Sequence, residues 1–244
     1  MGEVIAVVSG KGGTGKTSVC AGLATALAEH GETVLCIDCD IGLRNLDISL
    51  GLSGLEALSF MELCRGEYTL EQATAHPDYP QLKFLTAPMN CQPQEVDSKA
   101  FSQLLRQARR EFQFIFLDAP AGIDAGFQLA AKFADRVVLV TGADPASVRD
   151  AARAGDMLQM MGKMEVRLIV NRVNPKMISA MDLTVDDVMD RAGLPLLGIV
   201  PEDPQVVLRA AMEKPLLKKN KKGAADACRR IALRILGVRV PVAL

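Results

Sequence analysis

An apolar run, a glycine-rich segment and a helical pattern follow one another without a break at the start of the chain. Residues Val4–Val8 are all apolar, and positions 10–18 read Gly-Lys-Gly-Gly-Thr-Gly-Lys-Thr-Ser. This segment has the spacing G-x-x-x-x-G-K-[ST], which binds phosphate when it joins a strand to a helix. Its glycines allow successive N–H groups to turn inward, and the helix N-terminus adds its positive dipole end. We therefore predict a nucleotide-binding loop made of Gly10, Lys11, Gly12, Gly13, Thr14, Gly15, Lys16, Thr17 and Ser18.

Polar residues of this loop and of a later strand indicate which phosphate chemistry to expect. Lys16 can reach the β- and γ-phosphates of a nucleotide, and the hydroxyl of Thr17 can bind Mg²⁺. The apolar run 114–117 ends in Asp118, the Walker B form of a carboxylate that holds magnesium. Asp38 and Asp40 follow the second predicted strand, at the edge where an open α/β sheet binds its ligand. The sequence therefore predicts a site for a nucleotide with its magnesium ion.

The rest of the chain alternates short β-branched runs with longer amphipathic stretches, which is typical of a parallel sheet covered by helices. Strands are predicted at Val4–Val8, Thr33–Asp38, Leu82–Ala87, Phe114–Asp118, Arg136–Thr141, Val166–Val173 and Leu196–Val200. Helices are predicted at Lys16–His30, Lys99–Glu111, Gly126–Phe133, Ser147–Met161, Val185–Ala192 and Ala224–Leu236. We therefore predict a single-domain α/β fold of the P-loop NTPase class, with a mostly parallel central sheet and helices on both faces.

Composition argues against several other classes of protein. The 28 Lys and Arg residues balance 29 Asp and Glu residues, so a generally basic nucleic-acid-binding protein is not expected. No apolar run reaches the roughly 18 residues of a membrane-spanning helix, and no basic leader with a cleavage site begins the chain. Cys36 and Cys39 form a C-x-x-C pair, but no second Cys or His pair lies nearby, which favours buried apolar side chains over a metal or redox site. We expect a cytoplasmic protein.

The segment Lys11–Thr17 contains an extra lysine, and in this it resembles the deviant Walker A motif of the MinD/ParA family of ATPases, which includes the nitrogenase iron protein. Segment 38–47, Asp-Cys-Asp-Ile-Gly-Leu-Arg-Asn-Leu-Asp, is similar to the first switch of the MinD branch. Similar stretches at 171–173, 185–188 and 196–203 extend the resemblance from Val4 to about Gly237. We therefore expect a MinD/ParA-like ATPase domain over residues 1–237, followed by a short tail over residues 238–244.

The resemblance implies ATP and Mg²⁺ as cofactors and a role for each catalytic or metal-binding residue. Lys11 would reach across an ATP-bound homodimer to the phosphates held by the partner. Asp40 would position or activate the attacking water, so that the catalytic residues are Lys11, Lys16 and Asp40. Asp38 would support the magnesium shell, so that the metal-binding residues are Thr17, Asp38 and Asp118.

The resemblance also implies a site for the nucleotide base. Asn171 would contact the adenine, since a side-chain amide can match its donor and acceptor edge. Residues at the ends of the last two strands would meet the same base, namely Arg172, Pro201, Glu202 and Asp203.

The function implied by the resemblance is an ATPase that dimerises with ATP, hydrolyses it to ADP and phosphate, and acts in placing the bacterial division septum. Its partners would be a MinC-like division inhibitor and a MinE-like or DivIVA-linked protein. The alternative is a ParA-type ATPase for partition, or for positioning cargo or flagella. The run Arg44-Asn45-Leu46-Asp47 favours the MinD branch, because ParA relatives usually carry Pro-Gln after the acidic pair.

Two functions of other classes are less favoured. An iron–sulfur reductase subunit would need two cysteines near the dimer face; Cys91 is one conceivable ligand, but residues 119–126 contain none. A non-enzymatic, nucleotide-gated binding module would not require Asp40 and Lys11.

The chain also departs from the MinD pattern. Ala119 stands where the family usually has Ser, which bears on the hydrolysis rate rather than on nucleotide binding. After the last domain helix, residues 237–244 contain Pro241 and are too few for the usual amphipathic membrane-targeting helix.

Basic residues then cluster near the end of the chain, at Lys214, Lys218, Lys219, Lys221, Lys222, Arg229, Arg230 and Arg234. They fit a solvated loop and helix face, an anionic lipid surface or DNA phosphates. We expect weak contact with anionic membrane, transiently at the inner face of the cell membrane, and regard DNA as the less favoured partner.

Overall fold

The computed structural model of the protein describes residues 1–89 and 91–243, which form one eight-stranded sheet with helices on both faces. The strands are β1 Glu3–Val8, β2 Val34–Asp38, β3 Thr74–Ala75, β4 Leu82–Leu85, β5 Phe114–Asp118, β6 Arg136–Thr141, β7 Val166–Val173 and β8 Leu196–Pro201. They are ordered β3-β4-β2-β5-β1-β6-β7-β8 across the sheet. Every neighbouring pair is parallel except β3 with β4, so the expectation of a mostly parallel sheet is confirmed.

Within residues 1–89 and 91–243, ten α-helices connect or cover these strands. They are α1 Lys16–Glu29, α2 Leu46–Leu50, α3 Phe60–Cys64, α4 Ser98–Glu111, α5 Ala125–Phe133, α6 Pro145–Met160, α7 Pro175–Ala180, α8 Val185–Ala192, α9 Pro204–Ala211 and α10 Gly223–Ile235. The predicted strands and helices are all present, with ends displaced by at most two residues. The short elements β3, α2, α3, α7 and α9 were not predicted.

The sheet separates the core into two apolar layers, and β1 shows how. Val4, Ala6 and Val8 face the layer that contains α3, α4, α5, α6 and α8. Ile5 and Val7 face the opposite layer, which contains α1, α2 and α10. Because both faces of the central strands are buried, their sequences are apolar throughout rather than alternating.

The two edges of the sheet, at the carboxyl ends and at the amino ends of its parallel strands, differ in what they contact. The carboxyl ends of β1, β2, β5, β7 and β8 lie at one edge, where the loops that follow them converge. At the other edge Asp135 accepts a hydrogen bond from the backbone N–H of Val4 at 2.8 Å. Arg109 of α4 donates to the two oxygens of the same carboxylate at 2.6 and 2.9 Å. This second edge therefore ties β1, α4 and β6 together, away from the predicted site.

The end of the chain is held against α10. Arg234 donates to the carbonyls of Val240 and Pro241, and Arg230 donates to that of Ala243. The predicted tail includes residue 244, which lies outside the described residues. In residues 1–89 and 91–243 the structure contains no helix with the length and apolar character to cross a bilayer.

Candidate functional site

The predicted phosphate loop lies between β1 and α1 and uses its glycines as the sequence requires. Gly13 and Gly15 have φ angles of 80° and 81°, in the left-handed region that disfavours side chains. A Cβ atom on Gly15 would also lie only 2.3 Å from Nδ2 of Asn171, so the loop closes tightly against the end of β7. The N-terminus of α1 follows directly, with Gly15 as its N-cap.

Lys16 and Asp118 form a buried ion pair at the mouth of this loop. The Nζ atom of Lys16 lies 2.6 Å from Oδ1 of Asp118 and 3.1 Å from Oγ1 of Thr17. Burial alone would lower the pKa of Lys16, but the contact with Asp118 outweighs it and raises the pKa, so the lysine stays charged. Burial raises the pKa of Asp118, against the opposing effect of Lys16. Three residues predicted at the phosphates and the metal are thus brought together.

The same carboxylate provides a test of whether magnesium fits here. Oδ2 of Asp118 is buried and has no hydrogen-bond partner within residues 1–89 and 91–243. A buried acceptor without a donor is costly, and Mg²⁺ binds oxygen ligands with several waters and substrate phosphates completing its shell. Among the described residues no group of three or more His, Cys, Asp and Glu side chains could hold a metal ion on its own. A cation shared with a nucleotide therefore fits this site.

Asp38 lies beside Asp118, because β2 and β5 are neighbours and their last residues are in register. Its Oδ1 accepts from the N–H of Asp40 at 2.8 Å, and its Oδ2 accepts from those of Asn45 and Leu46 at 3.2 Å. Burial, and then the charge of Asp118, raise the pKa of Asp38 to about 7. Asp38 thus organises loop 38–46 and the start of α2, a role that the sequence did not indicate. Its predicted part in the magnesium shell stays a prediction.

Asp40 is half-buried at the rim of the site. Partial burial raises the pKa of Asp40, while the charge of Lys16 lowers it. Because its backbone N–H is held by Asp38, the position of Asp40 depends on the fold of the whole loop.

Lys11 is bound within its own chain. Its Nζ lies 3.2 Å from Oδ1 of Asp144, the N-cap of α6. The same carboxylate accepts from the backbone N–H of Ser147 at 3.0 Å and from its hydroxyl. Asp144 was not singled out in the sequence, although an Asp before a Pro is a common start of a helix.

A cavity of about 450 Å³ opens beside the loop, between α1, α9, α10 and the ends of β7 and β8. All the residues predicted to meet the base line it, namely Asn171, Arg172, Pro201, Glu202 and Asp203. Nδ2 of the buried Asn171 donates to the carbonyl of Thr14 at 2.7 Å, which fixes the orientation of the amide. The apolar walls of the cavity include Val19, Val200, Val206 and Leu216, and none of these was predicted to contact the base.

Arg172 and Asp203 of this cavity also have structural contacts. Arg172 has a φ of 56°, and its guanidinium approaches the carbonyl of Gly13 at 3.4 Å and Glu202 at 3.8 Å. Asp203 caps α9 through the N–H of Gln205 and accepts from the N–H of Ala224. The carboxylate of Asp203 on the wall of the cavity is therefore already hydrogen-bonded to backbone N–H groups.

Two further sequence features are explained by burial. Cys36 and Cys39 lie in opposite core layers, on either side of the sheet, and burial raises the pKa of both thiols. The preference for buried apolar side chains is therefore confirmed.

Ala119 is fully buried in the layer of α5, and its N–H donates to the carbonyl of Val7 at 3.1 Å. Its effect on hydrolysis stays a prediction.

Comparison with known proteins places this geometry among nucleotide-binding domains. Residues 5–216 match the family described as the CobQ/CobB/MinD/ParA nucleotide binding domain. A putative septum site-determining protein MinD of Nephroselmis olivacea is 39% identical over 243 residues, which cover 98% of this chain and 89% of the relative.

Two solved structures have the same fold. The MinC:MinD cell division protein complex of Aquifex aeolicus matches with a TM-score of 0.91 at 33% identity, covering 99% of this chain and 98% of the other. The septum site-determining protein MinD of Pyrococcus horikoshii, complexed with Mg-ADP, matches with a TM-score of 0.83 at 28% identity, covering 96% of each chain. The predicted resemblance is therefore confirmed.

Proposed function

The chain belongs to the CobQ/CobB/MinD/ParA family of nucleotide-binding domains and to its MinD branch, and we propose that it is an ATPase that dimerises with ATP. We infer that it hydrolyses ATP to ADP and phosphate and acts in division-site placement. The buried contact of Lys16 with Asp118 and Thr17 at the glycine loop is the observation that carries the proposal. A charged lysine, a carboxylate and a hydroxyl in contact at this loop support a site for a nucleotide with its magnesium ion.

The loop supports binding of the phosphates. The glycines leave the backbone N–H groups accessible, and the N-terminus of α1 contributes its dipole. Lys16 supplies a full positive charge, which its raised pKa maintains at neutral pH. Asp118 neutralises this charge, so that it is not left alone in a buried position.

Magnesium would be held by the hydroxyl of Thr17 and by Asp118, with Asp38 behind them. When bound, it supplies positive charge that offsets the charge on the transferred phosphoryl group. Oδ2 of Asp118, which has no hydrogen-bond partner in the described part of the chain, supports this assignment. The family includes a protein complexed with Mg-ADP, the MinD of Pyrococcus horikoshii.

Asn171 supports a preference for adenine. Its Nδ2 is committed to the carbonyl of Thr14, so the oxygen of the amide is left as an acceptor on the wall of the cavity. The exocyclic amine of adenine donates hydrogen bonds, whereas guanine presents an oxygen at the same position. An amide oxygen therefore favours adenine there.

Asp40 and Lys11 are the residues proposed for hydrolysis. A carboxylate with a raised pKa at the rim of the site suits a group that orients or deprotonates a water. Lys11 lies at the exposed side of the loop, in contact with Asp144. If Lys11 left Asp144 and met the phosphates of a nucleotide bound by a second copy, its charge would neutralise the negative charge that develops there during hydrolysis.

The proposed partners come from the MinD branch. The relative from Aquifex aeolicus is seen in a MinC:MinD complex, and a MinC-like inhibitor is therefore proposed here. A MinE-like or DivIVA-linked protein that stimulates hydrolysis is proposed from the same membership, as is contact with anionic membrane.

Steady-state turnover and nucleotide titration of three variants test the proposal. Lys16→Ala removes a charged hydrogen bond worth roughly 2 kcal/mol and should weaken ATP binding by at least about ten-fold. Asp40→Ala should keep the ATP affinity and lose at least about a hundred-fold in turnover, because only the proton-handling group is removed. Lys99→Ala, an exposed lysine on α4, is the control and should change neither. Equal loss of affinity in the Lys16 and Asp40 variants would contradict the separation of roles.

A further inference from the structure

Ser9 lies between β1 and the phosphate loop, and it is polar but only 1% exposed. Its hydroxyl donates to the backbone carbonyl of Lys11 at 3.0 Å. Within residues 1–89 and 91–243 no other hydrogen bond reaches that carbonyl. The side chain of Ser9 therefore holds the peptide that follows Lys11, the residue proposed to reach a second copy.

The backbone of Ser9 is itself held by the segment that follows β5. Its carbonyl accepts a hydrogen bond from the N–H of Gly122 at 3.0 Å, and the carbonyl of Val7 accepts one from the N–H of Ala119 at 3.1 Å. The end of β1 and the segment after Asp118 are thus bonded at two points. The hydroxyl of Ser9 is therefore a partner with a fixed position for Lys11.

The residue before Lys11 is fixed by α6. A Cβ on Gly10 would lie 2.2 Å from the backbone oxygen of Asp150, so the loop and the helix are in close backbone contact. Asp144 of the same helix N-terminus holds the ammonium group of Lys11 through a partly exposed ion pair. The backbone of Lys11 is therefore held more firmly, between Ser9 and α6, than the end of its side chain.

This difference suits a lysine that has to change its partner. A group that becomes ordered only on association pays the entropy of ordering at that moment, which weakens the association. A backbone that is ordered beforehand avoids this cost, and a partly exposed ion pair is weak enough to be replaced.

We propose that Ser9 is a positioning residue for Lys11. Its hydroxyl fixes the peptide after Lys11, so that only the side chain has to move when the ammonium group leaves Asp144 for the phosphates bound by a second copy. Ser9 acts through Lys11 and not on the nucleotide. The inference rests on the proposed function, in which Lys11 crosses the dimer.

Sedimentation velocity over a concentration series with ATP and Mg²⁺ tests this role, with Asp40→Ala in every chain to prevent hydrolysis. Ser9→Ala should raise the dimerisation midpoint by about thirty-fold, because each of the two copies loses one hydrogen bond of ordinary strength. The affinity for ATP, measured on protein diluted well below the midpoint, should change by less than about two-fold, because the contacts of Lys16 are independent of Ser9. General distortion of the loop would weaken both.

Two further variants serve as controls. Ser9→Thr keeps the hydroxyl and should keep the midpoint of the unsubstituted loop within about two-fold. Thr25→Val removes another buried hydroxyl, which donates to the carbonyls of Ala21 and Gly22 inside α1, and should change neither the midpoint nor the ATP affinity. Thermal unfolding shows whether each variant folds. If Ser9→Ala does not fold, Ser9→Cys provides the same test, because a thiol is a weak donor.

Three results would overturn the proposal. They are an unchanged midpoint in Ser9→Ala, equal losses of ATP affinity and of dimerisation in that variant, and a midpoint for Ser9→Thr as high as that for Ser9→Ala. Lys11→Ala separates this proposal from the proposed function. If Lys11→Ala dimerises with ATP as the natural residue does, the proposed function fails; if it does not dimerise while Ser9→Ala dimerises normally, only the role of Ser9 is lost.

Discussion

At the scale of single residues, Gly13 and Gly15 differ in a way that the motif does not show. Both have left-handed backbone angles, but a Cβ at Gly13 would meet no atom of the described residues within 4 Å, whereas at Gly15 it would overlap the amide of Asn171. We predict that Gly13→Ala lowers the free energy of unfolding by about 1–2 kcal/mol, the cost of a left-handed alanine. Gly15→Ala should cost about 1 kcal/mol more, because Asn171 must leave Thr14.

Urea unfolding without nucleotide measures both variants, with Gly13→Ala as the control for backbone strain alone. The Gly15 variant should also lose the proposed preference for ATP over GTP, because the amide of Asn171 would no longer be held in place by its bond to the carbonyl of Thr14. Equal destabilisation of the two variants would contradict the contact with Asn171.

The glycine loop and the start of α1 could be predicted because their signal is local: nine consecutive positions carry the whole motif. The contacts of Asp38 and Lys11 could not be predicted in this way. Asp38 binds N–H groups seven and eight positions further along, and Lys11 meets a carboxylate 133 positions away. Such contacts depend on which strands are neighbours, and no short pattern encodes that.

At the scale of elements, the N-terminus of α6 combines two tasks in one carboxylate. Asp144 caps the helix through Ser147 and holds Lys11. We predict that Asp144→Asn keeps the cap, since Asn caps helices as well as Asp, but frees Lys11. The pair is partly exposed, and such pairs contribute at most about 1 kcal/mol. Each of the two copies releases its Lys11, so the proposed ATP-dependent dimerisation should gain up to about 2 kcal/mol and need up to about thirty-fold less protein.

Sedimentation velocity over a concentration series in ATP measures that midpoint. Ser147→Ala is the control, because it removes the hydroxyl that donates to Asp144 but keeps both the capped backbone N–H and the charge that holds Lys11. If it shifts the midpoint as far as Asp144→Asn does, the loss of hydrogen bonding around Asp144 rather than the release of Lys11 is responsible.

Long elements were predictable and short ones were not, for a physical reason. A helix such as α4 repeats its apolar face over several turns, as Phe101, Leu104, Leu105 and Ala108 do. α2 has only five residues and begins where Asp38 accepts the N–H of Leu46. Its start is thus fixed by Asp38 at the end of β2 and not by a repeating apolar pattern, so a search for helical periodicity does not find it.

At the scale of the whole molecule, Asp135 should make stability depend on pH. Partial burial alone would raise the pKa of Asp135, but the bonds from Arg109 and Val4 outweigh it and lower the pKa. A lowered pKa stabilises the fold above the unfolded value of about 3.9, and this contribution disappears as the pH falls through the folded value. Since the pair is partly exposed to solvent, we predict that Asp135→Asn costs about 1 kcal/mol at pH 7.

Urea unfolding at pH 7 and near pH 3 provides the measurement. The difference between the variant and the natural sequence should be smaller at the lower pH, and it should vanish below the folded pKa of Asp135, where the carboxylate is protonated in both states. Glu111→Gln, an exposed acid at the end of α4, should show no such difference. A penalty for Asp135→Asn that persists at acid pH would assign the loss to packing instead.

The position of β1 in the sheet has a consequence for how the chain becomes active as it is synthesised. β1 is made first, yet its neighbours are β5 and β6, which end at residues 118 and 141. At roughly 10 residues per second a ribosome needs about ten seconds to reach them. During that interval the glycine loop has been translated but lacks the strands that support it, and Asn171 is later still. We therefore expect a growing chain to bind nucleotide only after these strands are in place, so that nucleotide binding follows assembly of the sheet.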